Sequence, residues 1–244
     1  MKLIVTKDAD RTRAEEIASK LGIEINDETV SEELALKLDG TGLSLTDGKL
    51  SMQGDFHHVL PRTQKGRLAS EMLVKAAKIK SCGANAVAID ATAGMGEDSF
   101  LLAAAGFTVH LYEYDPVIAA LLEDALFRVR KDAELCDTAS RMILHCEDSI
   151  AALKGSEQNA DVVLLDPMFP ERQKSALIKK KFQLLQQLER PCDAEEELLT
   201  AALQSGARRI IIKRPLEGPY LGNRKPDYSL NGKAIRYDCF VKAR

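Results

Sequence analysis

The strongest constraint on the fold is a regular alternation of apolar strands and helices that begins near residue 87. Strands that are apolar at nearly every position, separated by helices, are typical of a parallel sheet covered on both faces. The sequence therefore predicts an α/β fold in which ligands bind beyond the carboxyl ends of the strands. The predicted strands are 87–90, 108–112, 142–145, 162–165 and 209–213, with a final edge strand at 234–242, and the predicted helices are 98–105, 116–129, 149–154, 175–188 and 194–204.

The first 60 residues follow a different pattern, with short segments between Gly, Asp and Thr. Asp47-Gly48 is a hairpin signal between two alternating segments, 43–46 and 49–52. Together with a strand at 3–5 and a helix at 10–21, it indicates a small α+β unit. The predicted organisation is a small α+β N-terminal domain at 1–60 and a second domain at 61–244, which opens with an amphipathic helix at 67–80.

Composition excludes several classes of protein. The chain has 244 residues, of which 45% are hydrophobic, so it can bury a full core. It contains no apolar run long enough to span a membrane and no signal peptide, which predicts a cytoplasmic protein. The five cysteines and four histidines have no spacing typical of a disulfide framework or a metal site, so no metal is expected. The net charge of −3 leaves only local patches for binding a polyanion, and the oligomeric state stays open.

A glycine turn follows the first predicted core strand, in the segment Asp90-Ala91-Thr92-Ala93-Gly94-Met95-Gly96-Glu97-Asp98. Its small residues let the backbone turn sharply and approach a ligand, although a tight turn without a ligand has the same pattern. A dinucleotide fingerprint would have a third glycine where Ser99 stands, and the acidic residues would repel a pyrophosphate. They suit a cation such as the sulfonium and ammonium groups of S-adenosylmethionine. The predicted cofactor-binding residues of this turn are Asp90, Gly94, Gly96, Glu97 and Asp98.

Acidic residues also follow the next two strands. Glu113 can accept hydrogen bonds from both hydroxyls of a ribose, and Tyr114 can flank an adenine. Glu147 and Asp148 can accept a hydrogen bond from the adenine amino group. Asp148 or Ser149 can equally cap the following helix, and the two roles are compatible. Glu113, Tyr114, Glu147 and Asp148 are therefore predicted to bind the same cofactor.

The most informative segment, Asp166-Pro167-Met168-Phe169-Pro170, follows the fourth core strand. The Asp166 carboxylate and the Pro167 carbonyl can each accept a hydrogen bond from an exocyclic amine. Phe169 can stack on a base, a contact worth roughly 1–3 kcal/mol. Two fixed acceptors can aim the lone pair of the amine at a methyl donor, so positioning and electrostatics can carry the reaction. Asp166, Pro167 and Phe169 are the predicted catalytic residues, and a rigid turn with a buried Phe is the simpler alternative.

Basic residues cluster around the same edge of the predicted sheet. Arg172 and Lys174 follow the Asp-Pro loop, and Lys213 and Arg214 follow the fifth core strand. At these positions they can hold phosphates beside a reacting base, which predicts that all four bind RNA.

These motifs resemble those of a known family, the RsmJ family of bacterial small-subunit ribosomal RNA guanine-N2 methyltransferases. The similarity covers about residues 57–241 and is weaker in the N-terminal part. It implies a Rossmann-like class I S-adenosylmethionine-dependent methyltransferase core and methylation of a guanine N2 in 16S ribosomal RNA, either free or within the small ribosomal subunit. It also implies cofactor contacts at Glu97-Asp98, Glu113-Tyr114, Glu147-Asp148 and Asp166. The segments that carry it are 90–96, Glu113 with Pro116-Val117, 166–170 with Gln173-Lys174-Ser175-Ala176-Leu177, Lys213-Arg214-Pro215 and Arg236-Tyr237-Asp238.

Three other functions remain open from the sequence. The Asp-Pro loop would also serve an amino methyltransferase that acts on DNA or on a protein amide. A nicotinamide-dependent dehydrogenase can use a similar sheet, although Ser99 and the Asp-Pro loop argue against it. A non-catalytic RNA-binding protein with this fold would not require Asp166 and Phe169.

Overall fold

The computed structural model of the chain describes residues 1–26, 33–79, 86–155, 160–167, 180–185, 187–188 and 194–242. Within these ranges, none of the helices is long and apolar enough to cross a membrane. The predicted helix at 175–188 falls partly outside them, and its described part consists of the helix Lys180–Leu185 and a turn at 187–188, so the predicted end at residue 188 is too late. The described strands form two sheets, one built from the N-terminal residues and one from the remainder.

The larger sheet has the predicted parallel core. Seven described strands lie in the order β11-β12-β10-β9-β6-β7-β8, where β6 to β10 are parallel and β11 and β12 are antiparallel to their neighbours. The chain order reverses between β6 and β9, the switch point at which such sheets bind ligands. The strands are β6 (Val87–Asp90), β7 (Thr108–Tyr112), β8 (Met142–His145), β9 (Val162–Leu165), β10 (Arg209–Pro215), β11 (Tyr228–Asn231) and β12 (Ile235–Val241).

Both faces of this sheet are buried, which explains its continuous apolar strands. Along β9, Val162 and Leu164 pack into one hydrophobic cluster, and Val163 and Leu165 pack into another. Successive side chains of a strand point to opposite faces, so helices must cover both. The described helices are α1 (Arg11–Leu21), α2 (Leu60–Thr63), α3 (Lys65–Leu68), α4 (Met72–Ala77), α5 (Glu97–Ala104), α6 (Pro116–Val129), α7 (Cys136–Ala139), α8 (Ser149–Lys154), α9 (Lys180–Leu185) and α10 (Glu195–Gln204).

The N-terminal residues form a mixed five-stranded sheet in the order β2-β1-β3-β4-β5. The predicted hairpin at Asp47-Gly48 is confirmed, because β4 and β5 pair antiparallel across it. The sequence did not predict β2 and β3, which are short and flank β1. The domain boundary at residue 60 stays a prediction. The strands are β1 (Lys2–Val5), β2 (Glu24–Asn26), β3 (Ala35–Asp39), β4 (Gly42–Thr46) and β5 (Ser51–Gln53).

Helix α6 packs against both sheets. Its residues Ile118 and Leu121 join the cluster of the N-terminal sheet, and Leu122 and Leu126 join the cluster of the main sheet. Asp124, which is 1% exposed, binds Arg13 of α1 through Nη2 at 2.6 Å. Pairing of a buried carboxylate offsets the cost of removing its charge from water, so this contact fixes α1 on α6.

Two predicted elements are wrong in detail. The helix predicted at 67–80 is broken between α3 and α4, where Glu71 has an extended ψ of 131° and its carboxylate accepts hydrogen bonds from Arg62 Nε and Nη2 at 2.9 and 2.8 Å. The strand predicted as an edge at 234–242 is internal, since β12 pairs with β10 on one side and β11 on the other. The edge strand on this side of the sheet is β11, which was not predicted.

Candidate active site

A cleft of about 760 Å³ lies at the carboxyl edge of the main sheet. Its walls are the segments that follow β6, β7, β8 and β9, completed by Lys213 of β10 and Tyr237 of β12. The size is typical of a site for a small molecule. The position beyond the strand ends, expected from the alternation of strands and helices, is confirmed. Among the charged residues of the described lining, acidic side chains outnumber the cations Arg62 and Lys213: they are Asp90, Glu97, Asp98, Glu113, Asp115, Glu147, Asp148 and Asp166.

The two glycines of the turn after β6 have different structural roles. Both adopt left-handed backbone, with φ of 53° at Gly94 and 76° at Gly96. A Cβ added at Gly94 would meet no atom within 4 Å, so this glycine leaves open space on the cleft. A Cβ at Gly96 would lie 2.9 Å from Leu122 Cδ1. The absent side chain of Gly96 therefore allows close packing against α6, which the sequence prediction of cofactor contact did not anticipate.

The buried carboxylates of Asp90 and Glu113 accept hydrogen bonds from backbone amides of this turn. Asp90 is 2% exposed, and its carboxylate accepts hydrogen bonds from Ser99 Oγ at 2.6 Å and from the Thr92 amide at 3.2 Å. Burial raises the pKa of Asp90 to about 7. Glu113 accepts hydrogen bonds from the amides of Gly94 and Asp115, both at 2.9 Å, and burial raises its pKa as well. Both carboxylates brace the backbone of the cleft, and their contact with a cofactor stays a prediction.

The remaining predicted cofactor residues also line the cleft. Tyr114 is 64% exposed at its rim, and Glu147 is exposed beside Asp148. Asp148 caps α8 by accepting a hydrogen bond from the Ile150 amide at 2.9 Å, so the alternative role as a helix cap is confirmed. Glu97 binds His58 Nε2 at 2.8 Å across the cleft wall.

Asp166 stands at the tip of β9 and faces the same cleft. Its amide donates a hydrogen bond to Thr92 Oγ1 at 2.6 Å, and its Oδ2 lies 3.0 Å from Lys213 Nζ. Pro167 is buried and lines the cleft. Backbone and side chain of Asp166 are thus both held by neighbouring strand ends. Phe169, the third predicted catalytic residue, lies outside the described residues.

The predicted RNA-binding residues need correction. Arg214 is 1% exposed, its Nε donates to the Pro219 carbonyl at 2.8 Å, and a side chain so buried cannot reach a polyanion. Lys213 points into the cleft, where Nζ contacts Asp98 Oδ2 at 2.6 Å as well as Asp166. Two carboxylates already neutralise this ammonium, which leaves little charge for a phosphate. Arg172 and Lys174 fall outside the described part of the chain.

Sequence reasoning missed several residues that build the site. Tyr237 is 3% exposed and lines the cleft, and burial raises the pKa of its phenol. Thr92 anchors Asp166, Arg62 lines the cleft from the segment between the two sheets, and His58 of the same segment binds Glu97 of the cleft lining. Thr92 and Tyr237 lie within segments already singled out, so both were usable signals. Arg62 and His58 reach their positions only through tertiary packing. Among the residues that the structure describes, no cluster of His, Cys, Asp and Glu could hold a metal ion.

Comparison with known proteins identifies the family. Residues 16–242 match the family model described as "Putative SAM-dependent methyltransferase". The chain is 40% identical over 240 residues to the Ribosomal RNA small subunit methyltransferase J of Thioalkalivibrio sulfidiphilus, covering 95% of this chain and 93% of the relative. The chain belongs to the ribosomal RNA small subunit methyltransferase J family. The family member of that name from Pseudomonas savastanoi pv. phaseolicola is 37% identical over 241 residues, covering 96% and 88% of the two chains.

A solved structure supports the methyltransferase J fold. The SAM-dependent methyltransferase NGO1261 from Neisseria gonorrhoeae superposes with a TM-score of 0.76 at 27% identity, covering 99% of this chain and 96% of the other. The predicted Rossmann-like α/β fold, the enzyme class and the cofactor S-adenosylmethionine are confirmed. A nicotinamide-dependent dehydrogenase is excluded by the same family membership.

The cleft of this methyltransferase J family member suits a cationic cofactor. S-adenosylmethionine carries a sulfonium and an ammonium group, and even without the buried Asp90 and Glu113, whose pKa values are raised, six acidic side chains face two basic ones along the described walls. Clefts lined by one sign of charge attract the opposite charge. The open space at Gly94 admits a close approach of ligand to backbone. The residues present therefore fit the cofactor, and the prediction of direct contacts rests on Glu97, Asp98, Glu113, Tyr114, Glu147 and Asp148.

Proposed function

We propose that this enzyme methylates the exocyclic N2 amine of a guanine in small-subunit (16S) ribosomal RNA. One observation carries the proposal: Asp166 projects from the tip of β9 into the acidic cleft, with its amide and its carboxylate both fixed. A carboxylate fixed at this edge of the sheet can accept a hydrogen bond from the amine that receives the methyl group, beside the methyl donor. The relatives named Ribosomal RNA small subunit methyltransferase J supply the substrate class.

The residues of the site account for the chemistry of an unreactive amine. Bound S-adenosylmethionine supplies an activated methyl group with a neutral thioether as leaving group. The lone pair of a guanine amine is delocalised into the ring, so it must be turned towards the donor. Asp166 accepts a hydrogen bond from the amine, which orients that lone pair in line with the methyl carbon. Methyl transfer would join the amine nitrogen to the methyl carbon with the thioether as leaving group, and Asp166 or water would take the amine proton.

The base itself requires further contacts. A guanine within folded RNA must leave its stack to enter a cleft of this kind. Phe169 is proposed to stack on it, the Pro167 carbonyl to share the acceptor role, and Arg172 and Lys174 to hold adjacent phosphates. Because ribosomal RNA is the proposed substrate, the proposed location is the cytoplasm.

Transfer of a labelled methyl group tests the proposal. The wild-type enzyme and the Asp166→Ala variant are each incubated with S-adenosylmethionine that carries a labelled methyl group. The acceptor is small ribosomal subunits, free 16S RNA or DNA, each prepared from cells that lack the gene for this enzyme. We expect label in ribosomal RNA as N2-methylguanine, identified by mass spectrometry, and a loss of at least about 100-fold in Asp166→Ala with RNA binding retained. Label in DNA alone, or in ribosomal proteins alone, would refute the proposal in favour of the two alternative acceptors.

A further inference from the structure

Lys213 joins the two halves of the cleft. Its ammonium contacts Asp166 Oδ2 at 3.0 Å, on the loop proposed to hold the base, and Asp98 Oδ2 at 2.6 Å, in the first turn of α5. Both carboxylates are largely buried, with 17% and 16% of their side chains exposed, and 19% of the Lys213 side chain is exposed. Charge pairs in such a setting are screened less by salt and water than surface pairs.

The surroundings exclude two other roles for Lys213. The two carboxylates raise the pKa of Lys213 against the opposing effect of burial, so the amine stays protonated and cannot accept the proton of a base. The ammonium is also turned into the cleft and paired twice, which is a poor arrangement for gripping a phosphate on the outside. What this geometry does is fix the direction of the Asp166 carboxylate.

We propose that Lys213 is a positioning residue, which holds the Asp166 carboxylate in the orientation that receives the amine. This inference rests on the proposed function. The Thr92 hydroxyl fixes the backbone of Asp166, and Lys213 fixes its side chain, so two separate contacts define where the acceptor oxygen lies. The second contact, with Asp98, anchors the ammonium to α5, directly after the glycine turn that forms the cofactor side. Lys213 thus connects the proposed amine side of the cleft to the proposed cofactor side.

A double-mutant cycle tests this role. Methyl transfer to small ribosomal subunits from cells lacking the gene is measured in single turnover for wild type, Lys213→Met, Asp166→Asn and the double variant. A misplacement of about 1 Å can cost about 100-fold in rate, so we expect Lys213→Met to lose about 10- to 100-fold. In the Asp166→Asn background the same change should cost less than about 3-fold, because the carboxylate that Lys213 orients is already gone. Losses that multiply would overturn the proposal.

Binding measurements separate positioning from a structural role. Calorimetry with S-adenosylhomocysteine, whose sulfur is neutral, should give dissociation constants within about 3-fold for wild type and Lys213→Met. Lys213→Arg keeps the charge in a planar group of different length, and should restore part of the lost rate. A Lys213→Arg rate below that of a folded Lys213→Met would contradict the proposal.

Arg208→Met is the matched control. Its Nη1 lies 3.2 Å from Asp161 Oδ1, a partly buried pair beside the opposite end of β10, away from the cleft. It should lower the thermal unfolding temperature by an amount similar to that of Lys213→Met but leave the methylation rate unchanged.

If Lys213→Met does not fold, Lys213→Gln takes its place in the same cycle, with the same criterion. If wild type labels DNA instead of ribosomal RNA, the proposed function fails, and the cycle measured on DNA still decides the role of Lys213.

Discussion

Asp90→Asn should make the enzyme more stable at alkaline pH. Asp90 is 2% exposed, and burial raises its pKa from the ordinary 3.8 to about 7. The native state therefore keeps a proton that the unfolded chain loses above about pH 4, so the free energy of unfolding falls as pH rises until both states are ionised above pH 7. The full effect is roughly 4 kcal/mol, of which about 3 kcal/mol falls between pH 5 and pH 8.

The neutral amide of Asn can still accept the hydrogen bond from Ser99 Oγ and has no charge to bury. Urea unfolding of wild type and Asp90→Asn at four pH values from 5 to 8 measures the difference in their free energies of unfolding at each pH. The contributions of other titrating groups, such as Glu113, are the same in both proteins and cancel in this difference. The variant should gain about 3 kcal/mol relative to wild type across this range. Asp137→Asn, in the exposed first turn of α7, serves as the control and should run parallel to wild type. Parallel curves for Asp90→Asn would refute the reasoning.

Three further changes test the rest of the cleft. Gly96→Ala should destabilise the fold by about 2 kcal/mol or more in urea unfolding, because the added Cβ would lie 2.9 Å from Leu122 Cδ1. Gly94→Ala, whose added Cβ would meet open space, should cost about 1 kcal/mol. Equal losses would argue against the packing role of Gly96. Glu113→Gln should raise the dissociation constant of S-adenosylhomocysteine about 10-fold in calorimetry, since it weakens the brace on the Gly94 amide. Asp166→Ala tests the predicted contact of Asp166 with the cofactor, and a constant within about 3-fold of that of wild type would contradict this contact.

The parallel core and its cleft could be predicted because both follow from local patterns. Apolar strands between helices define the sheet, and the carboxyl ends of its strands then bring Asp90, Glu113, Asp148 and Asp166 to one edge. Helix α6 begins at Pro116, as predicted, since Asp115 supplies the cap and proline suits the first turn. Each of these signals lies within a few residues of the position it determines.

The errors concern contacts between distant parts of the chain. Lys213 and Arg214 look alike in the sequence, yet one faces the cleft and the other is buried against the Pro219 carbonyl, a difference set by which face of β10 each occupies. The break before α4 arises because Arg62 binds Glu71, an ion pair that no helical periodicity reveals. Strand β11 was missed although Tyr228-Ser229-Leu230-Asn231 alternates, because four residues are a short signal and the strand is defined by its pairing with β12.

Helix α6 is buried against both sheets, so the first 60 residues cannot be removed without exposing part of it to water. Removal of the first 60 residues would expose Ile118 and Leu121 to water at a cost of roughly 1.5–3 kcal/mol for each side chain. The same helix starts three residues after Glu113, which accepts a hydrogen bond from the Gly94 amide, so loss of packing on the outer side of α6 should also affect the predicted cofactor wall. An enzyme shortened to start at residue 61 should thus expose an apolar stripe of α6 and have a less ordered ligand site, so we expect methyl transfer to require both sheets.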